Sequence, residues 1–199
     1  MAGMQQNQIV GIAGPNGSGK DTVMEFLSAN YEYLFMSATD MLAAELKKRG
    51  LPLDRIHKSE LSAEWRREQG YGVIVQKAYE AFMQQATTYR GLVVGSLRHP
   101  AEADVIHELG GIMIWVDADP RVRYERIQAV DRGRGAEDRI SYEQFLADEE
   151  REMHRQGNDE ATISAADVKA KCDITLFNEN DMIALEEQIR QLLKLEKSV

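Results

Sequence analysis

The run Gly14-Pro15-Asn16-Gly17-Ser18-Gly19-Lys20-Asp21-Thr22 constrains this chain more than any other feature. It lies between a short apolar stretch, Ile9 to Ala13, and a segment with helical apolar spacing. Glycines at this density let the backbone curl, so that successive N–H groups and the positive end of the following helix converge on one anion. Lys20, at the end of the curl, adds a mobile cation that can follow a phosphoryl group as it transfers. The segment therefore reads as a phosphate-binding loop between a buried strand and a helix, with a nucleoside triphosphate as its expected occupant. It fits the pattern G-x-x-x-x-G-K-[ST] with one departure: Asp21 follows the lysine, and the hydroxyl arrives one residue later, at Thr22. A hydroxyl in that place ordinarily ligates Mg²⁺, so the metal here falls to Thr22, to Asp21, or to water and phosphate oxygens.

At 199 residues the chain has the length of one α/β domain, and nothing in it asks for a second. Hydrophobic residues make up 43% and charged residues 29%, and no apolar run approaches the roughly 20 residues needed to cross a bilayer. Met1 to Gln8 is polar and lacks the basic and apolar regions of a secretory signal. The lone cysteine, Cys172, can form no internal disulfide and fits a reducing, cytoplasmic setting. A formal net charge of −9 argues against a general nucleic-acid or anionic-membrane surface, while leaving room for a local basic pocket. The expected partner is a small molecule, with monomer and homodimer both open.

Period and punctuation predict strands at Ile9 to Ala13, Tyr33 to Met36, Leu92 to Val94, Ile112 to Val116 and Ile174 to Phe177. Helices are expected from Gly19 to about Ala29, from Asp40 to Gly50, from about Ser59 to Glu68, and from about Val73 to Gln85. Others follow from Ala101 to Leu109, from about Pro120 to Ala129 and from about Tyr142 to His154, with a last one carrying Met182, Leu185, Ile189 and Leu192. Continuous apolar strands separated by helices imply a parallel sheet covered on both faces, with ligands at the strands' carboxyl ends. Leu51 to Gln85 and Asp131 to His154 break the alternation and are expected to be mobile or substrate-covering insertions.

The residues just beyond the strands are polar: Ser37-Ala38-Thr39-Asp40, Ser96-Leu97-Arg98-His99, Asp117-Ala118-Asp119 and Asn178-Glu179-Asn180. Helix capping accounts for Asp119 and Asp181, and is balanced against function for Thr39 and Asp40. Arg98 stands where a guanidinium fork can grip an acceptor's phosphate. The arginines from Arg121 to Arg139 bracket a segment whose Gly133 and Gly135 would let it swing as a lid. Arg126 and Arg132 are the candidates for neutralising a transferring phosphoryl group, and Arg121 and Arg123 are expected on a solvated helix end. The four histidines show no metal-ligand spacing and are expected at the surface. The acidic run Asp148-Glu149-Glu150-Arg151-Glu152 reads as a salt-bridged, solvent-facing helix.

Taken in order, these residues resemble the P-loop nucleoside and nucleotide kinase group over most of the chain. The loop GPNGSGKDT, with its late hydroxyl, is similar to that of adenylate kinases. The segment from Ser37 to Leu42 is similar to the one that opens their acceptor-nucleotide arm. Trp65 to Gly70 and Gly95 to Glu102 look like segments of phage-type deoxynucleoside monophosphate kinases and of dephospho-CoA-kinase-like archaeal proteins. Arg126 falls where this group begins its lid, and Phe177-Asn178 where it frames the donor adenine. The resemblance implies a three-layer α/β/α sandwich around a five-stranded parallel sheet, an acceptor-binding helical insertion over about 40–87, and a short lid over about 130–140. It also implies Mg²⁺-ATP as donor.

Under that reading Gly14, Asn16, Gly17, Ser18, Gly19, Lys20, Asp21, Thr22 and Asn178 bind the nucleotide, with Thr22 and Asp21 at the metal. Lys20, Arg98, Arg126, Arg132 and Asp40 serve catalysis, and Asp40, Arg66 and Arg98 hold the acceptor. The expected acceptor is a nucleoside or deoxynucleoside monophosphate. The alternatives are a hydroxyl acceptor of the dephospho-CoA kind, for which Asp40 would take the proton, and a nucleotide-binding regulatory ATPase.

Overall fold

Side chains alternate along Ile9 to Ala13: Val10 and Ile12 enter one apolar cluster, Ile9 and Ala13 another. A strand with both faces apolar must be covered on both sides. The chain supplies that cover in a computed structural model that describes residues 8–129, 140–154, 159–179 and 181–195. The lid expected over about 130–140, with Arg132, lies outside the described residues.

Five strands, β1 (Gln8–Ala13), β2 (Tyr33–Ser37), β3 (Gly91–Gly95), β4 (Ile112–Asp117) and β5 (Ile174–Phe177), form one sheet in the order β2-β3-β1-β4-β5. Every pairing is parallel, with Val10 opposite Val93 on one side of β1 and Ile12 opposite Ile114 on the other. β1 is thus the central strand, and its carboxyl end is where connections to the two halves of the sheet diverge, the place where such sheets open a crevice.

On one face lie α1 (Lys20–Tyr31) and α9 (Met182–Leu193), which bury Val23, Leu27, Leu185 and Ile189 against Val10, Ile12 and Ile114. The opposite face is covered by α2 (Ala38–Arg49), α3 (Arg55–Gln69), α4 (Val73–Met83), α5 (Pro100–Glu108) and α8 (Ala165–Ala170). Two more helices, α6 (Pro120–Ala129) and α7 (Tyr142–Met153), pack on each other beside the phosphate loop. The result is a three-layer α/β/α sandwich around a five-stranded parallel sheet. Among the described residues, no helix is long and apolar enough to cross a membrane.

Several elements differ from expectation for local reasons. α2 starts at Ala38, two residues before the expected start, so Asp40 lies inside its first turn rather than at its cap. α3 begins four residues early because the Asp54 side chain accepts the His57 N–H at 2.9 Å and caps it. α8 spans six residues, too few for a helical period to show in sequence. The segment 51–85 is no loose insertion: Trp65, Ile74, Ala78 and Phe82 belong to the core beside Leu92 and Val94. His99, expected at the surface, is 3% exposed because its ring caps α5, with Nδ1 accepting the Ala101 N–H at 3.2 Å.

If α4 is part of the core, Phe82→Ala will cost about 3–5 kcal/mol in urea unfolding, through lost transfer energy and a residual cavity. Ile183→Ala, at a position 80% exposed, will stay within about 0.5 kcal/mol. Equal effects at the two sites would contradict this placement.

Candidate active site

Gly17 and Gly19 take φ of +79° and +88°, the left-handed region that side chains avoid. A Cβ on Gly17 would also meet the Arg123 carbonyl oxygen at 2.6 Å. The turns at these two glycines leave the loop's carbonyls facing outward, and each meets a donor. The Asn16 carbonyl accepts from Arg123 Nη1 at 3.4 Å, the Gly17 carbonyl from Arg126 Nη1 at 3.4 Å, and the Ser18 carbonyl from Asn178 Nδ2 at 3.0 Å. In a trans peptide the N–H points opposite its C=O. Pinning these carbonyls outward therefore turns the Gly17 and Gly19 amides toward the concave side. α1 starts directly behind them, and its N-cap, Gly19, brings no side-chain acceptor to its first N–H groups. Lys20 Nζ folds back over the loop to the Pro15 carbonyl at 2.6 Å.

This cradle opens into a cleft of about 640 Å³ lined by Asn16, Gly17, Gly19, Lys20, Asp21, Thr22, Thr39, Asp40, Arg98, Arg126 and Asn178, among others. Gly14 and Ser18 stand behind that surface. Ser18 Oγ is fully buried and has no hydrogen-bond partner among the described residues, an orphaned donor within a phosphate loop. Asp21, Thr22 and Glu25 bring side-chain oxygens to the same cleft. No group of three or more His, Cys, Asp or Glu side chains able to hold a metal occurs among the described residues. Hard oxygens in small number fit Mg²⁺, which keeps several waters and binds through one or two protein groups plus phosphate. Asn178, 4% exposed, donates to the Ser18 carbonyl and accepts from Arg126, so it supports the loop from beneath. Burial draws the Arg126 pKa down, and neighbouring Glu179 opposes it.

A second cavity of about 400 Å³ adjoins the first, and Asn16, Thr39, Ser96 and Arg98 line both. Ser96, just past β3, has a φ of +62°, a conformation a non-glycine residue rarely takes. The turn sends Leu97 into the core and brings Arg98 to the shared wall. Arg66 lines this second cavity but is 4% exposed, with Nη2 bonded to Glu102 at 2.9 Å and Nη1 to Ser62 and the Ala161 carbonyl. The other Glu102 oxygen accepts the Arg98 and His99 backbone N–H groups at 2.8 and 3.0 Å. One buried carboxylate therefore sets the path of the loop that carries Arg98.

Two readings of charge are corrected by these contacts. Arg123 is buried rather than solvated, with Nε on the Ala118 carbonyl at 2.8 Å and Nη1 ion-paired to Glu149. Burial lowers its pKa, against the pull of Asp117 and Asp119. The acidic run around Asp148 is only partly solvent-facing: Glu149 and Glu152, three apart and so on one helix face, turn inward to Arg123 and to Arg98 and Arg55. Arg55, Glu102, Glu149 and Glu152 take part in the site although the sequence pattern assigns them no role there. The three-residue spacing of the two glutamates was the available signal. Asp119 and Asp181 do cap, accepting the Arg121 and Ala184 N–H groups. Cys172 lines neither cavity, and burial pushes its thiol up to about 12.

The profile of one protein family, described as AAA domain, matches residues 13–144. No curated protein matches the chain. Among solved structures, shikimate kinase from Bacteroides thetaiotaomicron is 11% identical and covers 94% of this chain and 99% of its own, with a TM-score of 0.59. The Deinococcus radiodurans tunicamycin resistance protein is 15% identical over 97% of this chain and 99% of its own, at 0.57. A sugar kinase from Janibacter sp. is 17% identical over 95% of each chain, at 0.50. At these identities the likeness is one of fold, and the fold is that of P-loop kinases.

Because Arg66 and Glu102 are buried together, removing one charge strands the other. Glu102→Ala will cost about 3–5 kcal/mol in urea unfolding, and replacing both by apolar residues of similar size will recover only the part that comes from the stranded Arg66 charge, because the Arg98 and His99 N–H groups lose their acceptor in either variant. A double variant as unstable as the single one would contradict the pairing.

Proposed function

The chain belongs to the AAA domain family, and from that premise we propose that it catalyses ATP-dependent phosphoryl transfer to a small phosphorylated metabolite, a nucleoside or deoxynucleoside monophosphate. One observation carries this reading: the phosphate-loop cleft has a second cavity beside it, and a guanidinium, Arg98, stands in the wall between them. A transferase needs two adjoining chambers so that donor and acceptor meet in line away from bulk water. A regulatory ATPase needs only the first.

In this mechanism the loop amides and Lys20 hold the donor's β- and γ-phosphates, Lys20 exchanging the Pro15 carbonyl for phosphate oxygen. The fully buried Ser18 hydroxyl and the outward-pinned carbonyls belong to a cradle already formed before the nucleotide arrives. Thr22 and Asp21 would hold Mg²⁺ together with phosphate oxygens and water, and the ion would supply charge neutralisation on the polyphosphate. Arg126 reaches the cleft from the loop side and Arg98 from the acceptor side, and the two would share the charge of the group in flight, with Arg132 added from 130–139. Asn178 acts by bracing the loop, and Arg66 by forming the acceptor cavity's wall.

Asp40 lies in the first turn of α2 and lines the donor cleft, which keeps a second acceptor class in view. An acceptor phosphate is already ionised and needs no base. A hydroxyl must lose a proton, and Asp40 would accept it.

A screen of nucleoside monophosphates, deoxynucleoside monophosphates and dephospho-CoA for ADP release tests the proposal. Lys20→Ala will lower turnover by about 10²-fold or more with any acceptor, through loss of charge stabilisation in the transition state. Asp40→Asn will cost about 10²-fold or more only if the acceptor is a hydroxyl. Full activity in Lys20→Ala would overturn the catalytic reading. ADP release indifferent to every acceptor would favour the regulatory ATPase.

A further inference from the structure

Two arginines in the wall of the second cavity, Arg55 and Arg98, already share an anion that the chain itself provides. Glu152, near the end of α7, places its carboxylate in ion pairs with Arg55, at the start of α3, and with Arg98, beyond β3. Two guanidinium groups from separate elements meet on one carboxylate only when their donor edges converge to the width of a single anion. Both arginines line the cavity, and so does Lys58. Arg66 lines it as well and keeps a buried Nε–H with no partner among the described residues. The other carboxylates nearby are engaged elsewhere: Asp54 caps α3 and meets the His57 ring, and Glu102 binds Arg66 and two backbone amides. The rest of the wall is apolar, with Leu42, Leu53, Ile74 and Ile163. A cavity so built takes a molecule with one anionic head and an apolar face.

We propose that Glu152 is a resident stand-in for the acceptor's phosphate, and that a phosphate-bearing acceptor binds between Arg55 and Arg98 by expelling it. The identification of that ligand as an acceptor rests on the phosphoryl-transfer reading; the anion seat does not. A phosphate is favoured over a carboxylate because its three terminal oxygens give Arg55, Arg98 and Lys58 one acceptor each, where Glu152 offers two oxygens in all. As an internal competitor, Glu152 raises the threshold for occupancy. Neutral molecules cannot displace it, so it acts as a specificity-determining residue by exclusion.

Calorimetric titration with inorganic phosphate tests this on four proteins: the native chain, Glu152→Gln, Arg55→Gln and the double variant. Glutamine keeps the shape of Glu152 and removes its charge, and thermal melts report whether each variant is folded. We expect Glu152→Gln to bind phosphate about tenfold more tightly, and the double variant to lose that gain. Phosphate bound at the loop contributes alike to all four and cancels in the cycle. An isotherm unchanged by Glu152→Gln, or a gain that survives Arg55→Gln, overturns the proposal. Acetate forms a second arm: if acetate shows the gain and phosphate does not, the seat is for a carboxylate and the assignment fails. Mg²⁺-ATP titrated into a separate, phosphate-free sample of the native chain reports on the donor cleft, so its failure counts against phosphoryl transfer and leaves the phosphate cycle readable.

Discussion

The outward pinning of three successive carbonyls is the constraint on which the rest of the molecule depends. Asn16, Gly17 and Ser18 each give a carbonyl to a side-chain donor from outside the loop, Arg123, Arg126 and Asn178 in turn. A curl of peptide dipoles facing one point is unfavourable without an anion there, because like partial charges converge. Rigid donors behind the loop hold that arrangement in advance, so a phosphate need not reorganise it on arrival. The central position of β1 makes this possible, because its carboxyl end is flanked by β4 on one side and β3 on the other. Arg123 and Arg126 follow β4 on α6, and Asn178 follows β5.

Much of this was legible in the chain. The five strands stood out as apolar runs because a doubly covered parallel sheet leaves no polar face, and the phosphate loop stood out because its glycines have no substitute at positive φ. What escaped notice was long-range pairing. Arg66 and Glu102 are 36 residues apart, Arg98 and Glu152 are 54 apart, and local pattern carries no information about either. His99 looked like a surface residue because a histidine cap is uncommon among the usual Ser, Thr, Asp and Asn, yet the α5 capping box with Glu102 buries it. Arg123 looked solvated because a charge at a helix start normally is, and only the folded chain brings Glu149 and the Asn16 carbonyl to it.

α7 joins the two chambers. Glu149 holds Arg123, which reaches the phosphate loop, and three residues on Glu152 holds the arginines of the second cavity. A helix is stiff over one turn, so the two glutamates keep a fixed separation, and each chamber presents cations to an acidic residue on the same helix face. The charge run that seemed the most ordinary stretch of the sequence is thus the element that touches both halves of the site.

The most direct measurement is calorimetric titration of Mg²⁺-ATP into the native chain. A cradle formed in advance predicts binding heat at one nucleotide per chain, together with a raised melting temperature that scales with ligand concentration. No heat and no rise in melting temperature would mean that the pinned amides face no phosphate, and the account of this site would not stand.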